Sequence, residues 1–326
     1  MTGRTRSASG TPSATGAAVA GPVGVGASAT PNPSGPGRGR GRPGAEGRTS
    51  SSRAGTAAPP ARRRSHVWIR RATGDSISTA RGDNRRVETP VRLLTWNVLG
   101  LREVARVAAV VRAARADVVC LQECPRWPGG RAALALVARS VGLRLAAGGG
   151  SRGVAVLVAP HVGVERSRVS AMPRPFTGWW WAYPRASALA RVRVGGWTID
   201  VASAHLDVSE EGRLAHAERL LADLSLDGLS DGDATRLRLV AGDLNETPDG
   251  PTWRLLASHL QDAGAGSGGP TYPVSATRRP TKRIDAVLVD PRIAVVDVRT
   301  GTDRPGLPSD HLPVLVTLVL PDPAGR

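Results

Sequence analysis

The chain has 326 residues, a formal charge of +17, two cysteines, 39 glycines and 26 prolines. Two cysteines exclude a disulfide-rich scaffold, and no run approaches the ~18 consecutive apolar residues of a membrane-spanning helix. The charge is uneven: residues 1–90 hold fifteen Arg against four acids, net +11, which leaves +6 for residues 91–326.

Residues 1–65 contain no Leu, Ile, Phe, Tyr or Trp. Such a segment buries too little apolar surface to offset its conformational entropy. The expected organisation is a disordered basic arm over 1–88, one folded domain over 89–322 and a tail over 323–326. The arm reads as a solvated extension or as a nucleic-acid-binding segment. Residues 16–29 lack the Leu-rich core of a signal peptide, so the expected location is cytoplasmic. Cys120 and Cys124 are too close together to brace a fold and lack zinc partners, and they read as free thiols.

From residue 91 the elements alternate. VRLLTWN reads as a strand, 102–115 as an amphipathic helix, DVVCLQE as a strand, 131–141 as a helix and GVAVLVAP as a strand. ASALARVRV and WTIDVASAHL read as consecutive strands joined at Gly195-Gly196. EEGRLAHAERLLADL places Leu214, Ala217, Leu220, Leu221 and Leu224 at helical spacing, and LRLVAGDLN follows as a strand. A short helix starts at Pro251, a favoured first-turn residue. IDAVLV, IAVVDV and LPVLVTLVL end the chain as strands. Adjacent strand pairs among the helices reject a pure βαβ array and point to two packed sheets with helices outside.

Polar residues recur where these apolar runs stop: Asn97 after LLTW, Glu123 after VVCLQ, His205 in VASAHLD, Asp243 and Asn245 in AGDLN, Asp285 in RIDAVLVD, Asp310 and His311 in SDHLPV. Carboxylates, amides and imidazoles gathered at a sheet rim supply acceptors for a hard cation, a base and donors for an anion. Asp243 and Asn245, two apart on an extended backbone, are expected to share a face.

The order Asn, LQE, His, GDxN, RxD, SDHxP resembles the endonuclease/exonuclease/phosphatase superfamily, over nearly everything after residue 90. The resemblance implies an α/β four-layer sandwich, two packed mixed β-sheets flanked by helices, with the site at one end of the sheets. It implies that Glu123 and Asn97 hold Mg²⁺, for which Mn²⁺ could substitute. Asp243 would orient or deprotonate the attacking water and Asn245 contact the phosphoryl group. Asp285 and Asp310 would flank His311, and His205 would contact a non-bridging oxygen or protonate the leaving group. Whether Asp243 or His311 is the base stays open. Two departures stand out. Leu99 occupies a place where many abasic-site endonucleases carry Asp, and SRGVAVLV (151–158) has no acid to partner His205.

For substrate, Arg185 falls where nuclease members place a phosphate-contacting Arg. The segment PRPFTGWWWAYPRAS groups Trp179, Trp180, Trp181 and Tyr183 in a chain with eleven aromatics. Flat rings there could stack on bases, meet a lipid interface or pack on the sheet rim. The expected activity is Mg²⁺-dependent phosphoester hydrolysis by a monomer, with a nucleic acid favoured as partner. The alternative is a lipid or small phosphorylated metabolite.

Overall fold

The computed structural model describes residues 90–174, 184–225, 236–301 and 307–322. The arm, the Trp179–Trp181 and Tyr183 cluster and the tail lie outside the described residues. The elements run β1 (Val91–Asn97), α1 (Val104–Ala114), β2 (Val118–Gln122), α2 (Gly130–Ser140), β3 (Arg144–Gly148), β4 (Val154–Val158), β5 (Gly163–Ala171) and β6 (Ala186–Val194). They continue β7 (Trp197–His205), α3 (Glu210–Ser225), β8 (Arg236–Asp243), α4 (Pro251–Ala257), β9 (Gln261–Asp262), β10 (Asp285–Val289), β11 (Ala294–Thr300) and β12 (Val314–Val319).

The strands form two mixed six-stranded sheets, ordered β11-β12-β1-β2-β4-β3 and β5-β6-β7-β8-β10-β9. Each has one parallel pair at its centre, β1–β2 and β7–β8, and antiparallel partners elsewhere. This is the expected sandwich. The strand period of two sorts the second sheet's side chains. Ile199, Val201, Leu237, Leu239, Ala241, Val287 and Val289 join the core shared with the first sheet. Ala202, Ala204, Val240, Ala286 and Leu288 face the opposite way, against Ala217, Leu220 and Leu224 of α3 and Trp253 and Leu256 of α4. Each fully buried Leu in these layers contributes roughly 1.5–3 kcal/mol.

Three polar side chains interrupt the core between the sheets. Thr95, Gln122 and Ser203 are wholly buried, a costly placement unless each is hydrogen-bonded. Gln122 Nε2 donates to Thr95 Oγ1 (3.2 Å) and to Ser203 Oγ (3.2 Å), and Ser203 Oγ donates to the Leu121 carbonyl (3.1 Å). The bonds fasten β1 and β2 to β7 directly beneath the rim where both parallel pairs end.

Three strands were not expected. β5 is exposed on both faces along most of its length, so it lacks the alternation by which a strand is recognised. β3 (RLAAG) is short and begins with Arg, and β9 has two residues. Among the described residues, no helix is long and apolar enough to cross a membrane.

Candidate active site

The register places the polar residues together. In the first sheet Asn97 is the Cα partner of Gln122, so Asn97 and the residue after Gln122, Glu123, emerge side by side. In the second, His205 pairs with Asp243 across β7–β8, and Asp243 with Asp285 across β8–β10. Gly242 permits that approach, because a Cβ there would strike the backbone of Ala204.

Asp243 is the hub. It is almost wholly buried. Its Oδ1 accepts from the Asn245 N–H (2.9 Å) and its Oδ2 from Asn97 Nδ2 (3.1 Å). The same Asn97 nitrogen donates to Glu123 Oε1 (3.2 Å), so one amide joins the two sheets' carboxylates. Burial, reinforced by the charge of Asp285, raises the Asp243 pKa to about 6, against the opposing pull of His311 and its hydrogen bonds.

The two histidines behave oppositely. His311 Nδ1 lies 2.9 Å from Asp285 Oδ2, while its Nε2 points towards Asp243 Oδ2 at 3.7 Å. Burial disfavours the charged ring, but the charge and hydrogen bond of Asp285, with the charges of Asp243 and Asp310, outweigh it. The pKa rises to about 9. Tyr272 lies against this ring, with centroids 4.7 Å apart. His205 instead faces Arg185, whose Nη1 is 2.8 Å from Nδ1 and 2.6 Å from Nε2. A guanidinium only donates, so this imidazole accepts and is neutral. Burial holds its pKa well below the usual value, and the charges of Arg185 and His311 push the same way. The 3.5 Å approach of His205 Nε2 to Asp243 Oδ2 is therefore no ion pair.

The donor set suits a hard cation. Glu123 is half-buried, and Asp310 Oδ1 and Asp285 Oδ1 are buried oxygens with no hydrogen-bond partner. An orphaned anionic oxygen calls for a positive partner. Asp243, Asp285 and His311 also bring ligand atoms within 4.8 Å of one another, a possible cation site. There a cation would compete with the hydrogen bond between His311 and Asp285.

Two expectations need correction. Asn245 does not share an extended face with Asp243: β8 stops at Asp243, and Asn245 takes a left-handed backbone at φ 51°. Its Nδ2 donates to the Leu206 carbonyl (3.0 Å), and the turn folds its N–H back onto Asp243. Asp310 makes no hydrogen bond to His311; it acts on the ring through charge alone, and Asp285 supplies the direct partner. Residues beyond the expected set also hold the site. Ser309 Oγ donates to the Asn97 carbonyl (2.6 Å) and accepts from the His311 N–H (3.1 Å), which pins the SDH turn to β1. Trp96 Nε1 donates to the His311 carbonyl (2.9 Å). Ser309 was visible as the first letter of SDH, whereas nothing local marks Trp96 or Tyr272. Cys120 and Cys124 are buried free thiols; burial pushes Cys124 up to about 12.

Solved structures share this architecture. An endonuclease/exonuclease/phosphatase from Bacteroides vulgatus aligns at a TM-score of 0.59 and 20% identity, over 71% of this chain and 99% of its own. A mannosyl-6-phosphatase from Bacteroides thetaiotaomicron aligns at 0.57 and 18%, over 71% and 100%. ANGEL2, a 2',3'-cyclic phosphatase bound to adenosine-2',3'-vanadate, aligns at 0.57 and 14%, over 71% and 96%. At such identities the likeness is one of fold. Sequence comparison with curated proteins finds no match. Residues 94–311, from the first rim strand to His311, match the Endonuclease/Exonuclease/phosphatase family, and the chain belongs to it as a phosphoesterase-class hydrolase.

Proposed function

We propose that the protein is a divalent-metal-dependent phosphodiesterase of nuclease type, in which a positioned water attacks phosphorus in line. The observation that carries the reading is the convergence on one buried carboxylate, Asp243, of an amide, a neutral histidine and a charged histidine.

Asp243 Oδ2 lies beyond hydrogen-bond length of both histidines, at 3.5 and 3.7 Å, so it keeps capacity to take a proton. With a pKa of about 6 it is ionised at neutral pH yet basic enough to accept. His311, protonated up to about 9, suits charge stabilisation or proton donation rather than base work. These values favour Asp243 as the base. Asp285 orients the His311 ring by accepting from its Nδ1. Arg185 points at His205 and would offer its remaining N–H groups to non-bridging oxygens. Asn245, at the turn after Asp243, would contact the phosphoryl group.

Glu123 with Asn97 would hold Mg²⁺ or Mn²⁺. The cation, when bound, neutralises charge building on the phosphoryl oxygens.

A second reading, a phosphatase acting on a lipid or small phosphorylated metabolite, is favoured by the modest +6 of residues 91–326 and by the sugar-phosphate activity named for one structural neighbour. The deciding experiment is a panel of duplex DNA, abasic DNA, RNA, phospholipid and inositol phosphates, run with Mg²⁺ and with excess chelator. We expect chelator-sensitive cleavage of a nucleic acid. Full activity in chelator would overturn metal dependence, and turnover confined to phosphomonoesters would select the second reading.

A further inference from the structure

Residues 263–284 contain no Asp or Glu, yet they carry Arg278, Arg279, Lys282 and Arg283. The four cations fare differently. Arg283 Nη1 and Nη2 donate to the two Asp262 oxygens (3.1 and 2.6 Å), and its guanidinium lies 4.6 Å from the centre of the Trp253 ring. Its charge is used within the fold. Arg278, Arg279 and Lys282 are exposed, and among the described residues none of their side chains has an ion pair or hydrogen bond.

The loop that carries them is tied to the site through its backbone. Tyr272 N–H donates to the Lys282 carbonyl (3.0 Å) and Lys282 N–H to the Tyr272 carbonyl (2.8 Å). A pair that exchanges both bonds holds its Cα atoms about 5.5 Å apart, and the Tyr272 ring lies against His311. Lys282 is thereby fixed beside the residue that covers His311. Val274 N–H donates to the Asp310 carbonyl (2.8 Å), and Ser275 N–H to the Arg278 carbonyl (3.1 Å). The Ser275 hydroxyl accepts from the N–H groups of Thr277 (3.3 Å) and Arg278 (3.0 Å). The turn bearing Arg278 and Arg279 therefore starts one residue from a hydrogen bond to the SDH turn. Unpaired cations on an ordered, exposed loop at the edge of a site mark a surface for an anion.

The kind of anion follows from the loop's composition and place. A duplex strand carries a phosphate about every 3.4 Å along the helix axis, so a strand whose scissile group lies at His311 brings further phosphates past the neighbouring walls. A membrane surface would call for about four to eight basic residues beside an anchor, or for apolar side chains to insert. Residues 275–282 offer three basic residues and no Leu, Ile, Val, Phe, Tyr or Trp.

We propose that the loop closed by Tyr272 and Lys282 is a docking surface for the backbone of a nucleic-acid strand, with Arg278, Arg279 and Lys282 holding phosphates that flank the scissile one. The inference rests on the nuclease reading for the identity of the scissile position; the binding of a strand to the loop requires no turnover. Contacts of this kind position a strand without reading its bases. A small phosphomonoester has no flanking phosphates and would make no use of the surface.

Lys282 is the only lysine of the chain, which gives the loop a reporter of its own. Acetylation of its amine by an N-hydroxysuccinimide ester is followed by mass spectrometry on the full chain in excess chelator, with and without an oligonucleotide of mixed sequence. The oligonucleotide should slow the reaction at least about threefold at ~50 mM salt, and the protection should fade towards ~200 mM. Arg278→Ala with Arg279→Ala should remove most of the protection. A strand held only by residues 1–90 would leave Lys282 reactive. A second series compares kcat/KM on the oligonucleotide and on bis(p-nitrophenyl) phosphate. The double Ala variant should lose at least about tenfold on the oligonucleotide and keep its activity on the minimal diester. Arg278→Lys with Arg279→Lys, which preserves both charges, should recover most of the loss. Unchanged Lys282 reactivity at saturating oligonucleotide would overturn the proposal, as would equal losses on both substrates, which would place the loop at the reacting centre. Protection by phosphatidylserine vesicles but not by the oligonucleotide would overturn it in favour of a membrane surface. If the wild type hydrolyses neither substrate, the nuclease reading fails while the acetylation series still decides the loop.

Discussion

The two sheets bring unlike chemistry to the same rim. The first sheet's parallel pair ends in Asn97 and Glu123, oxygen donors suited to a hard cation. The second sheet's parallel pair ends in His205 and Asp243, titratable groups joined there by Asp285 at the start of β10. His311 crosses the divide: its chain leads into β12 of the first sheet, yet its ring bonds Asp285 of the second. Neither half carries the arrangement alone. The halves are coupled by Asn97, which donates to a carboxylate on each side, and by the buried Thr95–Gln122–Ser203 contacts below. The site is thus assembled by sheet packing, and its precision depends on core contacts that never meet substrate.

The division can be broken most sharply on the proton-handling side. Asp243→Ala or His311→Ala should each lower kcat by at least about 10³-fold, and the double variant should be little worse, since residues acting as one unit are far from additive. Independent, multiplying losses would separate their roles. On the ligand side, Glu123→Ala should cost at least about a hundredfold and raise the Mg²⁺ concentration for half-activation, more than the ~10–100-fold for partners outside the coordination sphere. An unshifted metal curve would remove Glu123 from the cation site.

Between the halves, Gln122→Ala leaves the Ser203 and Thr95 hydroxyls short of partners and should destabilise the fold by about 1–3 kcal/mol. A denaturant series reads this, and an unchanged midpoint would show that the polar contacts do not fasten the sheets. The gentlest test titrates the histidines by NMR in metal-free protein. His311 should keep its proton at neutral pH and release it near 9, and His205 should stay neutral well below 6.5. Because the folded pKa of His311 is raised, its contribution to stability is complete below about pH 6.5, the ordinary imidazole value, and fades as pH rises through about 9. A His311 midpoint near 6.5 would contradict the Asp285 pairing.

Much of this was readable from the chain because the informative residues end regular runs. An apolar run stopping at Asn97, Glu123, His205 or Asp243 announces both its element and its rim position. The same logic failed at β5, whose sequence GVERSRVSA alternates nothing because little of that strand is covered. It failed also at Asn245, where counting two residues along a strand presumed an extended backbone that the chain abandons one residue earlier. A glycine's reason is visible only once a neighbour occupies the space its missing Cβ leaves, as the Ala204 backbone does at Gly242.

Glu123 and Asn245 have left-handed backbones, with φ of 50° and 51°. For a residue with a side chain this costs roughly 1–2 kcal/mol that glycine would not incur. A campaign selecting variants for heat resistance alone would therefore favour glycine at both positions. It would return a sturdier sandwich that has lost the residues proposed to hold the cation and to contact the phosphoryl group. Engineering this scaffold for durability thus requires screening for turnover at every round.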